Sequence, residues 1–383
     1  MRPDYTNSLV NLMASLEQGL GGVPGLYPPL AALPPQQIAA ARRVVLLLID
    51  GLGHEYLQTQ VERFPEWQQG VLTSVFPSST APAITSLMTG VAPQQHAVTG
   101  WLMYLRELGA VATILPFCTR IGDVPLQKLG LPVARVIGGS SLFNRLNVPS
   151  DYVIGRKLVD SAYSQWAAGS STRRYGYKRL YECFAELARL ALAPGGRRFI
   201  YGYWPLLDTF AHQHGIASVN VSQHWQMLAQ QLHYLAKQLR GSDTLLIVTA
   251  DHGFIDTQPE AVVTLDQHPE LRECLLLPPS VEPRAAGCYL RAGQRQRFER
   301  YIAEHLEGQF QLHAVDDLIA EGWFGLGDPH PLLAARLGDY LLIGRGAHVL
   351  TERLPGESEW SMIGVHGGLS TAEMQVPLLV VEC

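Results

Sequence analysis

The sequence predicts an α/β fold in which a mostly parallel central sheet is flanked by helices and interrupted by inserted segments. Three largely apolar runs, RVVLLLI (43–49), RFIYGYW (198–204) and TLLIVT (244–249), are typical of strands that are buried on both faces. Segments with helical periodicity lie between the runs, and this alternation is typical of parallel sheets. The 383-residue chain is 47% hydrophobic, which is enough apolar material for one large domain.

Charge and cysteine content narrow the classes of protein to consider. A formal net charge of −5 gives no reason to expect a nucleic-acid-binding surface. The five cysteines are dispersed and never in CxxC spacing, which argues against a disulfide scaffold and against a cysteine-rich zinc site. The sequence shows neither a signal-peptide pattern nor a run of ~20 apolar residues. We therefore expect no membrane segment and a cytoplasmic location.

The first hundred residues contain the patterns of two helices and two strands. Residues 8–20 are predicted to form a short amphipathic helix, and the strand 43–49 ends at Asp50. A second strand is predicted at 71–76, and a Pro-Ser-Ser turn leads from it into APAITSLMTG, which suits a helix. Thr80 stands where the N-cap of this helix belongs, so its hydroxyl would lie among unpaired backbone N–H groups that attract anions such as phosphate. Capping is the ordinary function of such a threonine, and this stretch alone assigns no chemistry.

Two stretches break the strand–helix alternation and are predicted to be insertions. Residues 101–194 begin with two candidate short strands and continue with a segment rich in Ser, Gly, Tyr and Arg, which indicates a cap or lid over the sheet. Residues 263–345 form the second insertion, with a helix expected at 294–306 and a strand at 340–343. The core of a single domain, 1–383, is then expected in three segments: about 40–100, 195–262 and 346–383.

The remaining core segments complete the predicted sheet and its helices. A helix is expected at 181–192, and a longer one at 219–239 carries an apolar stripe that is typical of core packing. The run VPLLVV, at 376–381, is predicted to be a final buried strand.

Acidic and imidazole side chains follow the ends of the predicted strands or lie in glycine-flanked loops. They are Asp50, Asp208, His212, Asp251, His252 and His366. Open α/β sheets bind ligands beyond the carboxyl ends of their strands, which is where most of these residues fall. Carboxylate oxygens and imidazole nitrogens are ligands for zinc, and for manganese or iron in related sites. The sequence therefore predicts a metal centre at one edge of the sheet.

Five motifs, in the same order as in the family, resemble the alkaline phosphatase superfamily and most closely its nucleotide pyrophosphatase/phosphodiesterase branch. They are LLIDGLGH (47–54), TAPAITSLMTGVAPQQHAVTG from Thr80, PLLDTFAHQHG from Pro205, TADHGF from Thr249 and GVHGG from Gly364. The resemblance implies an alkaline phosphatase-like sheet and a metal-dependent hydrolase of phosphodiesters or pyrophosphates, whose partner is a small phosphoester substrate. The two insertions lie outside the motifs.

The resemblance also implies two divalent cations, with Zn²⁺ the first expectation and Mn²⁺ or iron the alternatives. One site would contain Asp208, His212 and His366, and the other Asp50, Asp251, His252 and the hydroxyl of Thr80. Coordination lowers the pKa of a hydroxyl, so Thr80 is expected to act as the nucleophile and to form a phosphothreonyl intermediate. His214 competes with His212, but the DxxxHxxG pattern of the branch favours His212. His54 and His96 are expected to be scaffold residues.

Two departures from the branch concern the substrate. The family pattern has Phe-Pro-Asn after the nucleophile, where this chain has Ala81-Pro82-Ala83, and an asparagine at the position of Trp101. Either the indole N–H of Trp101 replaces the donor that asparagine gives to a phosphoryl oxygen, or the ring forms a wall of the pocket.

Other functions remain compatible with these motifs. A phosphomonoesterase, a phosphonate hydrolase or a phosphoryl transferase would use the same residues. A non-catalytic relative normally lacks ligands, whereas all seven positions are retained here.

Overall fold

The structure of the protein, a computed structural model, describes residues 1–61 and 64–383. The helices are α1 (Leu9–Gly19), α2 (Pro35–Ala40), α3 (His54–Thr59), α4 (Thr80–Thr89), α5 (Pro93–His96), α6 (Val133–Val136), α7 (Ala162–Ala167), α8 (Leu180–Leu192), α9 (Leu206–His214), α10 (Val219–Leu239), α11 (Pro269–Cys274), α12 (Arg295–His305), α13 (Val315–Ala320), α14 (Leu333–Leu337) and α15 (Thr371–Met374). The strands are β1 (Arg43–Ile49), β2 (Gln68–Thr73), β3 (Leu102–Leu105), β4 (Ala110–Thr113), β5 (Cys118–Thr119), β6 (Ser150–Gly155), β7 (Arg173–Tyr177), β8 (Arg198–Trp204), β9 (Thr244–Thr249), β10 (Ile255–Asp256), β11 (Val262–Thr264), β12 (Ser280–Glu282), β13 (Ala285–Cys288), β14 (Phe310–Ala314), β15 (Tyr340–Gly344), β16 (Val349–Thr351), β17 (Gly364–Val365) and β18 (Gln375–Glu382).

The central sheet has the strand order β2-β18-β9-β1-β8-β6-β7. Strand β1 runs parallel to both β8 and β9, and β6 runs parallel to β8 and β7. Strand β18 is antiparallel to both of its neighbours, β9 and β2, so β2 runs in the same direction as β9. The predicted mostly parallel sheet is therefore confirmed, with β18 as the one reversed strand among those that the structure describes.

The strands at the middle of this sheet are buried on both faces, as their continuous apolar sequences predict. Every residue of β1 and of β9 is buried. Helix α8 packs against β8, β6 and β1, with α10 beside it, and α4 packs against α1. The layers place the carboxyl ends of β1, β8 and β9 at a single edge of the sheet.

A second sheet, wholly antiparallel, forms beside the first with the order β14-β15-β13-β12-β3-β4-β5. Residues 102–119 and 280–344 supply its strands, and the two segments join where Val281 pairs with Leu102. The two predicted insertions thus combine into one element, which the patterns of either segment alone did not show.

Part of the first predicted insertion belongs to the central sheet. Strands β6 and β7 extend the sheet beyond β8, and α8 covers them. The segment 150–192 is consequently core, and only the stretch before it is separate from the sheet. Its sequence did not indicate this because β7, RRYGY, is an edge strand and most of its residues are partly or fully exposed.

The N-terminal helix differs from its prediction in character. Helix α1 is buried on almost every face, including its polar residues Asn11 and Ser15, so it is a core helix and not an amphipathic surface helix. Glu17, also buried, forms an ion pair with Arg145 at 2.6 Å. Among the residues that the structure describes, no helix has the length and apolar character needed to cross a bilayer.

Candidate metal centre

The carboxyl ends of β1 and β9 bring three of the predicted ligands side by side. The strands run parallel with Leu48 opposite Thr249, so Asp50 and the adjacent pair Asp251 and His252 leave the sheet at the same edge. The Nε2 atom of His252 lies 3.4 Å from Asp50 Oδ1 and 3.5 Å from Asp251 Oδ2. All three side chains are buried.

Asp50, Asp251 and His252 form one half of a ligand cluster. Helix α9 and the loop after β17 supply the other half, Asp208, His212 and His366. Asp208 and His212 are one turn apart in α9, and His212 Nε2 lies 3.3 Å from Asp208 Oδ1. Strand β17 pairs with β10, which closely follows His252, and this pairing places His366 beside them. The Nε2 atom of His366 lies 3.8 Å from the same Asp208 oxygen and 3.3 Å from His212 Nε2. Three potential ligands therefore converge from two separate elements.

Thr80 lies at the junction of the two halves. Its Oγ1 is 3.0 Å from His252 Nε2, and the His252 ring stacks on that of His366 with centroids 3.7 Å apart. The N-cap of α4 is Ser79, with φ −141° and ψ 155°, and not Thr80 as expected. Thr80 is the first residue inside the helix, and its contact with His252 places its hydroxyl at the cluster.

Three buried carboxylate oxygens of the cluster have no hydrogen-bond partner among the described residues: Asp50 Oδ1, Asp208 Oδ1 and Asp251 Oδ2. A buried charged oxygen without a partner is costly, and a cation satisfies it. Ligand atoms of Asp50, Asp251 and His252 lie within 4.8 Å of one another, and so do those of Asp208, His252 and His366. Because both sets contain His252, two cations need His212 in the second set, and its Nε2 lies 3.3 Å from Asp208 Oδ1 and 3.3 Å from His366 Nε2. With His212 included, the residues present fit two divalent cations, and this mixture of oxygen and imidazole ligands suits zinc, manganese or iron.

Backbone carbonyl groups orient the three imidazole rings. Each Nδ1 atom lies 2.8–3.2 Å from a carbonyl oxygen: Gly364 for His212, Gly253 for His252 and Ser78 for His366. A neutral imidazole that donates its Nδ1–H to a carbonyl presents the lone pair of Nε2 to a metal. The contacts therefore prepare all three Nε2 atoms as ligands.

Hydrogen bonds from the protein also orient the carboxylates of Asp50 and Asp251. The hydroxyl of Tyr203 donates to Asp50 Oδ2. The backbone N–H groups of Gly51 and His252 donate to Asp251 Oδ1 at 3.0 and 3.1 Å. In both acids one oxygen is fixed by the protein, and the other remains for a cation.

The electrostatics of the cluster show a deficit of positive charge. Burial, together with the carboxylates of Asp251 and Asp208, raises the pKa of Asp50 well above its usual value. Burial lowers the pKa of His212, but the carboxylate of Asp208 outweighs this effect and leaves that pKa raised. Bound cations would favour the ionised forms of the acids.

Residues 44–317 match the sequence profile of the type I phosphodiesterase/nucleotide pyrophosphatase family. The chain belongs to this family. It is accordingly a metal-dependent hydrolase of the phosphoester-cleaving class, as the five motifs predict. No curated protein matches the sequence.

Solved structures of similar fold include two from this family and one phosphonate hydrolase. Mouse ectonucleotide pyrophosphatase/phosphodiesterase 5 has 15% identity and a TM-score of 0.65, over 88% of this chain and 87% of that chain. The human form has 16% identity, the same score and the same coverage. Phosphonoacetate hydrolase from Sinorhizobium meliloti, in complex with phosphonoformate, has 16% identity and a TM-score of 0.61, over 89% and 90% of the two chains. These similarities confirm the alkaline phosphatase-like fold.

The other histidines of this hydrolase lie in different environments. His214 is exposed and its ring stacks on Phe210. His96 is fully buried, accepts a hydrogen bond from the Val98 N–H at Nδ1 and contacts Ser86 through Nε2. His54, at the start of α3, has a pKa lowered by burial.

The sequence did not predict two buried residues beside the cluster, Glu282 and Tyr203. Glu282, in the second sheet, accepts a hydrogen bond from the hydroxyl of Ser79 and another, at 2.6 Å, from the backbone N–H of Trp101. Burial raises the pKa of Glu282 to about 7, against the lowering effect of these bonds. Glu282 lies in a predicted insertion and Tyr203 in an apolar strand, so nothing in either pattern indicated a site residue.

Trp101 lies at the start of the second sheet, next to the cluster. Its backbone N–H donates a hydrogen bond to Glu282, and the residue is 39% exposed. The two roles predicted for Trp101, donor and pocket wall, stay predictions.

Proposed function

We propose that the protein hydrolyses phosphodiesters with Thr80 as the nucleophile. One observation carries the proposal: Thr80 Oγ1 lies 3.0 Å from His252 Nε2, in a cluster whose three acids each retain one unpartnered oxygen. A hydroxyl so placed can reach a phosphorus atom that is bound at the same cluster. An inactive threonine-to-alanine variant of the mouse protein has been solved in complex with AMP, which supports a threonine nucleophile in this family.

The chain's own residues account for the positioning that the reaction needs. Asp208, His212 and His366 would hold one cation, and Asp50, Asp251 and His252 the other together with Thr80. When bound, divalent cations lower the pKa of an attacking hydroxyl and offset the charge that develops on the attacking and leaving oxygens. Zn²⁺ is the ion that we propose, because imidazole and carboxylate form its usual ligand set.

In the first half-reaction Thr80 Oγ1 forms a bond to phosphorus and its proton passes to solvent. The bond from phosphorus to the leaving oxygen breaks, and the alkoxide takes a proton from solvent and departs as the alcohol. Water then attacks the phosphothreonyl ester and breaks the Oγ1–P bond, which restores the hydroxyl. The carbonyls of Gly364, Gly253 and Ser78 keep the three imidazoles oriented throughout.

The test is a comparison of Thr80→Ala and Thr80→Ser with the unmodified protein. Bis-p-nitrophenyl phosphate and p-nitrophenyl phosphate are the substrates, and bound metal is measured by atomic emission. We expect Thr80→Ala to abolish turnover with metal content largely retained, Thr80→Ser to keep part of the activity, and the diester to be the better substrate.

A matched control is Thr89→Ala, because Thr89 is also buried in the same helix and its hydroxyl bonds backbone groups, the carbonyl of Thr85 at 2.7 Å and the N–H of Val91 at 3.5 Å. Thr89→Ala should remain active. A fully active Thr80→Ala variant would exclude the threonine mechanism, and a faster monoester reaction would reassign the enzyme to phosphomonoesters.

A further inference from the structure

A cavity of about 540 Å³ lies at one end of the second sheet, where β15 ends. Residues 343–346, Trp323 and residues 369–370 form most of its wall. Pockets for small organic molecules measure about 300–1,000 Å³. The cavity is therefore large enough for a small ligand.

This cavity is separate from the metal centre. None of the seven predicted metal-site residues is among the described residues that line it. Arg284 forms part of the wall, and its guanidinium is bonded to Glu373 at 2.9 and 3.0 Å. The buried pair stands between the cavity and the loop that carries His366, because Glu373 also accepts the N–H of Gly368.

The charge of the cavity wall is positive. Arg2, Arg284 and Arg345 line it, and no Asp or Glu is found among the described lining residues. The whole chain has a formal net charge of −5, so this concentration of arginines is local. Glu373 neutralises Arg284, and the other two guanidinium groups determine which ligand the cavity favours.

Arg345 is held in place without a carboxylate partner. Its Nε donates to the backbone carbonyl of Glu307 at 3.0 Å, and no carboxylate of the described residues lies within 4.0 Å of its guanidinium. The two Nη groups remain as a fork, the geometry that binds phosphate and carboxylate oxygens. Gly344 and Gly346 flank Arg345 on the cavity wall, so a ligand meets no side chain at either position.

Arg2 is only weakly compensated. Its guanidinium lies over the ring of Trp323, 5.9 Å from the centroid, and its Nη2 donates to the backbone carbonyl of Glu321. The carboxylate of Glu321 accepts the indole N–H of Trp323 at 2.9 Å and lies 3.9 Å from Arg2. Such an exposed ion pair contributes little, and Arg2 keeps donors for a ligand.

Two guanidinium groups and an aromatic wall suit a dianion with an organic part. A phosphate monoester group carries about −1.5 to −2 charges at pH 7 and has three acceptor oxygens. A carboxylate brings one charge and two oxygens, which satisfy a single guanidinium. The phosphate monoester therefore matches the pair Arg2 and Arg345 better.

We propose that this cavity binds the phosphate group of a small organic phosphate monoester, with Arg345 and Arg2 as its ligands. The site is additional to the metal centre and does not depend on the hydrolysis proposed above. Hydrolysis of a phosphodiester releases a monoester, so the product of the proposed reaction belongs to the class that the cavity accepts.

Phenylphosphonate is the probe, because it is a dianion at about pH 8 and lacks the P–O–C bond that a phosphoester hydrolase breaks. Calorimetric titration of the metal-loaded protein should show two sites, one at the metal centre and one in the cavity. Arg345→Gln and Arg2→Gln should each weaken the cavity site about tenfold. Inhibition of bis-p-nitrophenyl phosphate hydrolysis by phenylphosphonate should keep its inhibition constant in both variants. Benzenesulfonate, a monoanion of similar shape, should bind the cavity more weakly.

Arg291→Gln is the matched control, because it removes an exposed arginine beyond the other end of β13. Both sites should persist in this variant. Sedimentation with vesicles that contain phosphatidic acid, compared with vesicles of phosphatidylcholine alone, identifies the source of the phosphate group. Sedimentation that depends on Arg345 would assign a lipid headgroup, and its absence with phenylphosphonate still bound would assign a soluble ester.

Three outcomes would overturn the proposal: a single phenylphosphonate site, a second site that survives both substitutions, or equal binding of benzenesulfonate in the cavity. Hydrolysis of bis-p-nitrophenyl phosphate would be unaffected by any of them. Loss of that hydrolysis from the unmodified, metal-loaded protein would instead refute the proposed function and leave the cavity site standing.

Discussion

Arg284 and Glu373 form a buried, doubly hydrogen-bonded ion pair that joins the second sheet to the segment before β18. Arg284 Nε lies 3.0 Å from Glu373 Oε1, and Arg284 Nη2 lies 2.9 Å from Oε2. The same carboxylate accepts the backbone N–H of Gly368 at 2.8 Å, two residues beyond His366. The pair therefore fixes the loop that carries a predicted metal ligand.

Arg284→Met should lower the free energy of unfolding by about 3–5 kcal/mol, because it leaves the charge of Glu373 buried without its partner. Urea denaturation measures the change. Arg297→Met is the matched control, since Arg297 makes a 2.9 Å pair with Glu273 on the surface and should change the free energy by less than about 1 kcal/mol. Equal effects of the two substitutions would contradict the role given to the buried pair.

Removal of bound cations by a chelator should lower the melting temperature, and Zn²⁺ or Mn²⁺ should restore it. A ligand that binds only the folded state, at a concentration 100 times its Kd, raises the free energy of unfolding by about 2.7 kcal/mol.

Asp208→Asn should reduce the bound metal from two ions to one per chain, measured by atomic emission. The exposed Asp316→Asn should leave two, and unchanged metal content in Asp208→Asn would argue against the assignment.

Tyr203→Phe should weaken metal binding by about 10–100-fold, because Asp50 loses the hydroxyl that orients it. Competition with a chromophoric chelator measures the affinity. Tyr201→Phe removes the same atom from the same strand, but the Tyr201 hydroxyl has no hydrogen-bond partner among the described residues. This control should bind metal normally, and equal losses in the two variants would indicate a general effect on the strand.

Stability should fall in mild acid because of His96. Burial, aided by Arg336, lowers the pKa of His96 to about 3, whereas an unfolded histidine has a pKa of about 6.5. The stabilising contribution is therefore complete above pH 6.5 and is lost as the pH falls toward 3, by about 2 kcal/mol between pH 6.5 and 5. His96→Gln should reduce this pH dependence of the unfolding free energy, while the exposed His305→Gln should keep it. An unaltered pH profile in His96→Gln would assign the acid sensitivity to other groups.

The features that the sequence could predict are those that depend on one local pattern. Strands β1, β8 and β9 are continuous apolar runs because they are buried on both faces, and the acids after them fall at one edge because the strands are parallel. Boundaries were less exact: β2 ends at Thr73, where a strand to 76 was predicted, and the N-cap of α4 lies one residue before Thr80.

The features that could not be predicted depend on contacts between distant segments. The second sheet exists because residues near 102 pair with residues near 281, and neither segment shows this by itself. The position of Glu282 beside the cluster could not be predicted for the same reason. Its hydrogen-bond partners Ser79 and Trp101 are brought to it by α4 and by that pairing. The edge strand β7 lacks the apolar pattern because the sheet covers it on one side only.

The predicted metal ligands extend from position 50 to position 366. Loop closure over such separations makes late native contacts slow to form. A growing or partly folded chain can assemble the Asp50 half once β9 has formed, but the Asp208 half waits for the penultimate segment of the molecule. Binding of the second proposed cation would therefore require an almost completely folded chain, and a partly folded chain would not hydrolyse phosphoesters.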